Sequence, residues 1–319
     1  MQRSITLGAV QVRSLPAQVE ANLAHATPLI EAAAAEGAEL IALPELFSSG
    51  YSPDRSVWSA AEPEEGLTVR WLRQTARRLG VFLGAGCVES DGRDFFNAFI
   101  LAGPDGELAG RAYKSNAEAN VFRRGRREHV ITTALGRIGV GICADNQLYP
   151  QLDAMHAEDV DLILMPHAWP TPVRAGGPVS EADVRAYQAR MIELPSLYAQ
   201  SLGVPVVFVN QVGALARIGG LLGRMMNPEI WSLRGQSRIV DSEGTVVGEL
   251  ADTEGFLAST VTIDPAAKRW QEPRHYGTYL QPGPAIARKV LIPLSIAQGR
   301  VTYQLSRERR QKARTLTET

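Results

Sequence analysis

Three residues whose side chains could take part in catalysis lie where predicted strands end. Glu45 follows the apolar stretch "LIALP", Lys114 closes "LAGRAYK", and Cys143 closes "RIGVGIC". In α/β proteins, ligands bind beyond the carboxyl ends of strands, where side chains from different strands converge. Taken singly, a strand cysteine is usually an inert apolar residue, and a lone glutamate or lysine is usually a surface charge. A functional site is therefore a hypothesis that depends on all three residues together.

Together these residues form a complete set of groups for acyl transfer. A thiol with a reference pKa of about 8.5 needs a base at neutral pH, and the Glu45 carboxylate can accept its proton. The Lys114 ammonium can stabilise the thiolate and the oxyanion that forms on an attacked carbonyl, with the Ala144 backbone N–H as a second donor. This chemistry uses neither a histidine nor a metal, so no cofactor is expected. Cys87 lies inside the predicted strand "VFLGAGCVE" and is expected to be inert.

The elements that carry these residues begin with a β-α-β unit. The stretch "ITLGAVQV" mixes β-branched and small residues and predicts a strand. Apolar residues then recur at helical spacing from Val19 to Ile30, with Gly37 as the expected helix end, before the strand of "AELIALPELF". A second helix is predicted over 67–79. Later segments alternate in the same way: strands in "DLILMP", "VPVVFVN" and "GFLASTVTID", and a helix in "EADVRAYQARMIELPSLYAQSLG".

Two hairpins interrupt this alternation. One is predicted at a Pro-Asp-Gly turn in "NAFILAGPDGELAGRAYK", and the other around Ser242, Glu243 and Gly244. A simple doubly wound sheet would contain fewer hairpins, so the pattern favours a pair of mixed sheets with helices outside. Residues 115–129 are polar and aperiodic and predict a loop. Residues 213–234, which contain Gly219, Gly220 and Gly223 together with Met225 and Met226, predict a long mobile loop.

Bulk composition excludes several classes of protein. The chain has 319 residues, of which 45% are hydrophobic, and its formal net charge of −1 provides no field that favours nucleic acid or an anionic membrane. Two cysteines do not form a disulfide framework, so a reducing, cytoplasmic location is the default expectation. No apolar run approaches the roughly 20 residues needed to span a bilayer. The first residues read as a strand and not as a signal peptide. We expect one domain over 1–284, followed by an extension over 285–319 that is either an arm at a subunit contact or a disordered tail.

The ordered blocks of the chain resemble the nitrilase superfamily, the carbon–nitrogen hydrolases. "LIALPELFSSGY", "RAYKS" and "IGVGICADNQLYPQ" look like its three signature blocks, and "DLILMPHAWP", "GVPVVFVNQVG" and "GQSRIVDSEGTVVGE" look like its later ones. The resemblance implies a four-layer α-β-β-α sandwich that assembles as a homodimer or a higher homo-oligomer. It also implies that Glu45, Lys114 and Cys143 are a catalytic triad. A second glutamate, Glu118 in "EANVFRRG", matches the acid that many members carry after the lysine.

The cysteine block departs from the usual patterns of the superfamily. Amidase-like members often have Cys-Tyr-Asp and nitrile-specific ones Cys-Trp-Glu, whereas this chain has Cys143, Ala144 and Asp145. The family's Pro-Glu is Pro150-Gln151 here, and the segment from Lys114 to Glu118 is shorter than usual. The aspartate favours an amidase-like enzyme that cleaves a small amide or N-carbamoyl compound. A nitrilase that forms a carboxylic acid and a catalytically inactive binding relative remain the alternatives.

Substrate contacts are predicted close to the signature blocks. Tyr51 follows the Glu45 block, and His167 and Trp169 follow the strand after the cysteine block, so all three are candidates to line a pocket. Each also has a structural interpretation as a residue packed beneath a loop. Segment 213–234 is a candidate lid because glycines permit movement and methionines adapt to apolar groups. Four arginines could attract an acidic substrate or form a solvated face: Arg123, Arg124, Arg126 and Arg127.

Overall fold

The computed structural model describes residues 2–125, 129–177, 179–216, 226–282 and 292–316. Its centre is a pair of six-stranded mixed sheets. The first sheet has the order β15-β1-β2-β3-β4-β5, with β1 parallel to β2 and β2 parallel to β3, and antiparallel pairing elsewhere. Its strands are β1 (Arg3–Gln11), β2 (Leu40–Ala42), β3 (Phe82–Ser90), β4 (Phe95–Ala102), β5 (Leu108–Tyr113) and β15 (Gly255–Ile263).

The second sheet repeats this pattern of pairing. Its order is β14-β13-β10-β8-β7-β6, and its central strands β10, β8 and β7 are parallel neighbours. The strands are β6 (Val130–Thr133), β7 (Gly136–Val140), β8 (Leu162–His167), β10 (Val206–Asn210), β13 (Arg238–Val240) and β14 (Val246–Glu249). A small third sheet contains β9 (Pro170–Pro172), β11 (Val212–Ala214) and β12 (Trp231–Arg234).

Helices cover the outer faces of the two large sheets. Apolar residues of α1 (Val19–Ala35) and α2 (Leu67–Leu79) share a core with the outer face of the first sheet. Those of α3 (Tyr149–Ala157) and α4 (Glu181–Leu202) pack on the second sheet, whose core continues between the sheets. The result is the four-layer α-β-β-α arrangement that the resemblance implies. Within the described residues, no helix is both long and apolar enough to cross a membrane.

Turn chemistry accounts for most of the elements predicted from the sequence. Gly37 after α1, Gly106 in the first hairpin and Gly244 in the second all have positive φ angles, of 89°, 82° and 88°. Glycine adopts this conformation without a steric penalty, so these positions fix the ends of the elements. A third hairpin, between β6 and β7, is not predicted from the sequence. Its turn lacks a Pro-Gly or Asn-Gly signal, and its first strand is only four residues long.

The prediction of a mobile loop over 213–234 is wrong at both ends of the segment. Val212–Ala214 forms β11 and Trp231–Arg234 forms β12, and these strands pair antiparallel with each other. β12 also pairs with β9, which follows the strand carrying His167. Gly219, Gly220, Gly223 and Met225 of the proposed lid lie outside the described residues.

The description of the C-terminal extension as a disordered tail is also wrong for residues 292–316. These residues form helices α5 (Ile292–Leu305) and α6 (Arg307–Thr315), and Tyr303 and Ala313 are buried against the same chain. This packing cannot be predicted from the charged sequence "SRERRQKARTLTET" because the extension makes its buried contacts through aromatic, small and arginine side chains and has no apolar stripe. A role for the extension at a subunit contact stays a prediction.

Candidate active site

Glu45 stands in a tight turn directly after β2. The next residue, Leu46, has a positive φ of 48°, a conformation that costs a non-glycine residue free energy and that concentrates at functional sites. The turn lies so close to β3 that a Cβ added at Gly86 would come within 2.4 Å of the Leu46 nitrogen. Gln211 Nε2 also donates to the Glu45 carbonyl oxygen at 2.7 Å. The backbone around Glu45 is therefore fixed from two sides.

The Glu45 carboxylate is fully buried and accepts hydrogen bonds from three groups. Lys114 Nζ lies 2.6 Å and Asn97 Nδ2 lies 2.8 Å from Oε1. The backbone N–H of Ala168, just after β8, donates to Oε2 at 2.9 Å. A buried charge persists only when it is paired and hydrogen-bonded, and these donors meet that requirement. They also orient the carboxylate, which the chemistry of a base requires.

Lys114 links the two glutamates of the site. Its ammonium, which has no exposed surface, contacts Glu45 as described and also lies 2.9 Å from Glu118 Oε1. Burial acts to lower the pKa of Lys114, but Glu118 and Glu45 oppose it, and the result is a pKa well above the usual lysine value. Lys114 is therefore a permanent cation here. An ammonium has three hydrogens, so after these two bonds one remains for a further acceptor.

Cys143 lies at a sharp turn and not at the end of a strand as predicted. β7 ends at Val140, and Cys143 begins a short 3₁₀ helix that extends to Gln147. Its φ is 49°, again a strained conformation for a residue with a side chain. The charges of the Glu45 carboxylate and the Lys114 ammonium both act on the thiol. Burial and the charge of Glu45 raise the pKa of the thiol well above its usual value despite Lys114, so the resting group is a protonated thiol.

Asp145 ties the cysteine turn to the segment that follows Lys114. Its carboxylate is buried and accepts hydrogen bonds from the backbone N–H groups of Ser115 (2.9 Å) and Asn116 (2.7 Å), and from Asn116 Nδ2 (2.9 Å). Cys143 and Lys114 follow strands of different sheets, β7 and β5. Asp145 links the two segments that carry them, so the aspartate of the Cys-x-Asp block has a structural role.

Asn146 and His167 are buried residues that stabilise the cysteine turn. Asn146 Nδ2 donates to the Gly141 carbonyl oxygen at 2.6 Å and lies 3.0 Å from His167 Nε2. A Cβ on Gly141 would stand 1.8 Å from Asn146 Oδ1, so only glycine fits there. Because the amide nitrogen only donates, Nε2 accepts and the ring proton lies on Nδ1. Burial, reinforced by Lys114, holds the pKa of His167 well below its usual value, so the ring is neutral.

A cavity of about 880 Å³ opens next to Glu118 and Ala144, while Glu45, Lys114 and Cys143 are not among its described lining residues. Glu118 and Ala144 are among its lining residues, and no acceptor bonds to the Ala144 N–H within the described chain. This volume lies within the usual range for small-molecule sites. The cavity is the place where an acyl group could sit against the predicted oxyanion donor.

The three predicted substrate contacts lie near the site but outside the lining of this cavity. The Tyr51 hydroxyl donates to Glu118 Oε1 at 3.4 Å. His167 stacks against Trp169 with ring centroids 5.4 Å apart, and the Trp169 N–H of the backbone donates to the side chain of Asn210. Direct contact of these three side chains with a substrate stays a prediction. Their described contacts are with Glu118 for Tyr51, with Asn146 of the cysteine turn for His167, and with Asn210 for Trp169.

Sequence reasoning missed the role of two buried amides, Asn97 and Gln211. Asn97 is the single polar residue in the β4 sequence "FFNAFILA", and Gln211 follows the apolar strand "VVFVN". A polar side chain within a fully buried strand needs a partner. That rule is the signal that identifies Asn97, although the sequence alone does not show that its partner is Glu45.

The carbon-nitrogen hydrolase family model matches residues 6–271. The chain belongs to this family. An omega-amidase of Xenopus laevis is 31% identical over 162 residues, which cover 46% of this chain and 58% of that protein. A chloroplastic omega-amidase of Arabidopsis thaliana is 28% identical over 173 residues, 49% of this chain and 47% of that protein. The chain thus spans about half the length of these curated relatives.

Solved structures with the same architecture include a carbon-nitrogen hydrolase from Helicobacter pylori. Its TM-score is 0.70 and its sequence identity 19%, and the match covers 83% of this chain and 90% of that chain. An amidase of the nitrilase superfamily from Nesterenkonia AN1 has a TM-score of 0.64 and 23% identity over 80% of this chain and 90% of that chain. These likenesses confirm the predicted nitrilase-like fold.

Proposed function

We propose that the protein hydrolyses the C–N bond of a small linear amide or N-carbamoyl compound through a thioester on Cys143. The observation that carries the proposal is the buried cluster in which the Lys114 ammonium bonds to the Glu45 carboxylate and the charges of both groups act on the Cys143 thiol. A base, a nucleophile and an oxyanion-stabilising cation are the groups that acyl transfer requires. Relatives named as omega-amidases support an amide as the substrate.

Acylation begins with a proton transfer inside the network. Glu45 takes the proton from the Cys143 sulfur, and the resulting thiolate attacks the carbonyl carbon of the amide. This transfer leaves the summed charge of the buried site unchanged, which matters because an uncompensated charge is costly there. The oxyanion accepts the remaining Lys114 hydrogen and the Ala144 N–H.

Collapse of the tetrahedral intermediate breaks the C–N bond. Glu45 returns the proton to the leaving nitrogen, so ammonia or an amine departs and a thioester remains on Cys143. Water then loses a proton to Glu45 and attacks the thioester carbonyl. The C–S bond breaks, the proton returns to the sulfur, and the carboxylic acid is released. Glu118, which holds Lys114 and faces the cavity, is placed to orient this water.

A solved relative supports a nucleophilic cysteine at this position. In a glutamate-to-glutamine variant of the Nesterenkonia amidase, the acetamide moiety of fluoroacetamide is covalently added at the active-site cysteine. For this chain the same position is assigned to Cys143, because the only other cysteine, Cys87, is buried in β3 away from Glu45 and Lys114. The Cys87 side chain packs in the apolar core that the first sheet shares with α1 and α2, whereas the neighbouring Gly86 faces the Glu45 turn on the other side of the strand.

The proposal is tested by ammonia release from a panel of linear amides, N-carbamoyl compounds and nitriles. We expect turnover of at least one amide or carbamoyl compound and slower or absent turnover of nitriles with the same acyl group. Preferential turnover of nitriles would replace the amidase proposal with the nitrilase alternative. A folded protein that releases no ammonia and forms no adduct from any member of the panel would favour the inactive binding relative.

A further inference from the structure

The two carboxylate oxygens of Glu45 differ in how many hydrogen bonds they accept. Within the described residues, Oε1 accepts from Lys114 and Asn97, whereas Oε2 accepts from the backbone N–H of Ala168 alone. A carboxylate oxygen has two lone pairs, so Oε1 is filled and Oε2 keeps one acceptor site. The proton of Cys143 can therefore be received at Oε2 without breaking any bond that holds the carboxylate.

The direction of Oε2 depends on a peptide segment that contributes no catalytic side chain. Ala168 is fully buried and follows β8, and the next residue, Trp169, donates its backbone N–H to Asn210 Oδ1 at 2.8 Å. Asn210 is the last residue of β10, and its Nδ2 donates to the Gly235 carbonyl oxygen at 3.0 Å. One buried amide thus fixes the chain immediately after the donor to Oε2.

Asn210 is itself held by buried polar groups that extend to the first sheet. Its backbone N–H donates to Ser237 Oγ at 3.0 Å, and this hydroxyl donates to Gln11 Oε1 at 2.8 Å. Gln11 Nε2 donates in turn to the carbonyl oxygens of Ala251 and Thr253, at 2.8 Å and 2.6 Å. Asn210, Ser237 and Gln11 have no exposed surface. We call these three residues the positioning network.

The positioning network contains polar residues that the catalytic steps do not use. Gln11 ends the apolar strand of "ITLGAVQV", Asn210 ends that of "VPVVFVN", and Ser237 lies in "GQSRIVDSEGTVVGE". The network is closely packed, because a Cβ added at Gly235 would lie 2.3 Å from the Gln11 side chain. Burying polar groups costs free energy unless they are hydrogen-bonded, so an apolar core would fill this space at a lower cost. A task beyond packing therefore accounts for the network.

We propose that Oε2 is the atom of Glu45 that accepts the proton of Cys143. Asn210 is the positioning residue that orients this oxygen, and it acts through the Trp169 and Ala168 peptides. In this step the S–H bond breaks, the Oε2–H bond forms, and the negative charge passes from the carboxylate to the sulfur. The inference rests on the proposed function, in which Glu45 is the base. Loss of the bond to Asn210 displaces the Ala168 N–H and so removes a donor that favours the charged carboxylate.

The test is the pH dependence of kcat/KM for Asn210→Leu, which keeps the side-chain size and removes the acceptor of the Trp169 N–H. Turnover requires the base in its charged form, so the acidic limb of the profile reports how well that form is stabilised. We expect the limb to move to higher pH by about one unit and kcat to fall about tenfold, with KM changed less than about twofold. Ser237→Ala removes only the hydroxyl that binds Asn210, so it should give a smaller shift in the same direction, and it replaces Asn210→Leu if that variant does not fold.

Asn22→Leu is the matched control. Asn22 is another buried asparagine, and its Nδ2 donates to the carbonyl oxygens of Leu15 and Ser48. Its loss should lower the thermal midpoint but leave the acidic limb at the wild-type pH. An acidic limb that moves as far in Asn22→Leu as in Asn210→Leu would trace the shift to lost stability and would overturn the inference.

The outcomes separate this inference from the proposed function. Wild-type turnover of an amide, with an acidic limb that does not move in the folded network variants, overturns the inference and leaves amide hydrolysis standing. Absence of turnover counts against the proposed function. In that case the rate of Cys143 alkylation by iodoacetamide against pH, assigned by peptide mapping, decides the inference, because formation of the thiolate needs the same acceptor. The inference then requires an upward shift of the acidic limb in Asn210→Leu and fails if the alkylation profile is unchanged.

Discussion

Replacement of Asn97 by leucine tests whether the base is held by the amide that sequence reasoning missed. The substitution keeps the side-chain size but removes the donor that lies 2.8 Å from Glu45 Oε1. A hydrogen bond to a charged group contributes about 1.5–3 kcal/mol. Because each 1.4 kcal/mol corresponds to about a tenfold change in rate, kcat should fall by about 10- to 100-fold. KM should change little, since Asn97 lies inside β4 and outside the cavity lining.

The assay is steady-state ammonia release with the best amide of the panel, together with the thermal midpoint of each variant. Thr75→Val is the control, because it removes a buried hydroxyl from α2 on the outer side of the same sheet and leaves the Glu45 donors intact. It should lower stability without lowering kcat. A folded Asn97→Leu protein with kcat within twofold of the wild-type value would refute the claim that Asn97 positions the base.

Three further predictions follow from the buried groups. Asp145→Asn should lower kcat at least tenfold, because a neutral amide oxygen accepts the Ser115 hydrogen bond more weakly than the carboxylate does, and this bond holds the turn of Cys143. Comparing kcat with the thermal midpoint of the variant will separate this effect from unfolding. His167 is neutral when folded and titrates near 6.5 when unfolded, so stability should fall as pH drops below about 6.5 towards its depressed folded pKa. Urea midpoints measured against pH should show this slope, and His167→Gln should flatten it. Cys87→Ala should leave kcat unchanged and cost about 1 kcal/mol of unfolding free energy by chemical denaturation; a loss of activity would contradict its inert role.

Periodicity and turn chemistry explain how much of the fold is predictable from sequence. The α2 prediction over 67–79 coincides with the observed Leu67–Leu79, because a strong apolar pattern ends at Gly80, whose φ is 69°. The hairpin of β6 and β7 escaped prediction because its first strand is short and half-buried, without a diagnostic turn residue. Helices α5 and α6 escaped because Gly299 and Tyr303 pack through close backbone approach, which apolar periodicity does not register.

The candidate site was predictable at the level of residue type and only partly at the level of geometry. Glu45, Lys114 and Glu118 come together as predicted, because each follows a strand of one sheet or the turn after it. Cys143 comes from the other sheet, and its strained turn depends on Asp145 and Asn146. The bond of Asp145 joins positions 30 residues apart, and no local pattern in the sequence specifies it.

The central claim is that Cys143 becomes covalently acylated during turnover. The most direct measurement is the intact mass of the protein after acid quench in the presence of a slowly hydrolysed amide, followed by peptide mapping. We expect one acyl adduct on Cys143, none on Cys87, and neither adduct nor ammonia from a folded Cys143→Ala protein. An adduct on a different residue, or ammonia release by Cys143→Ala at a rate near that of the wild-type protein, would contradict it.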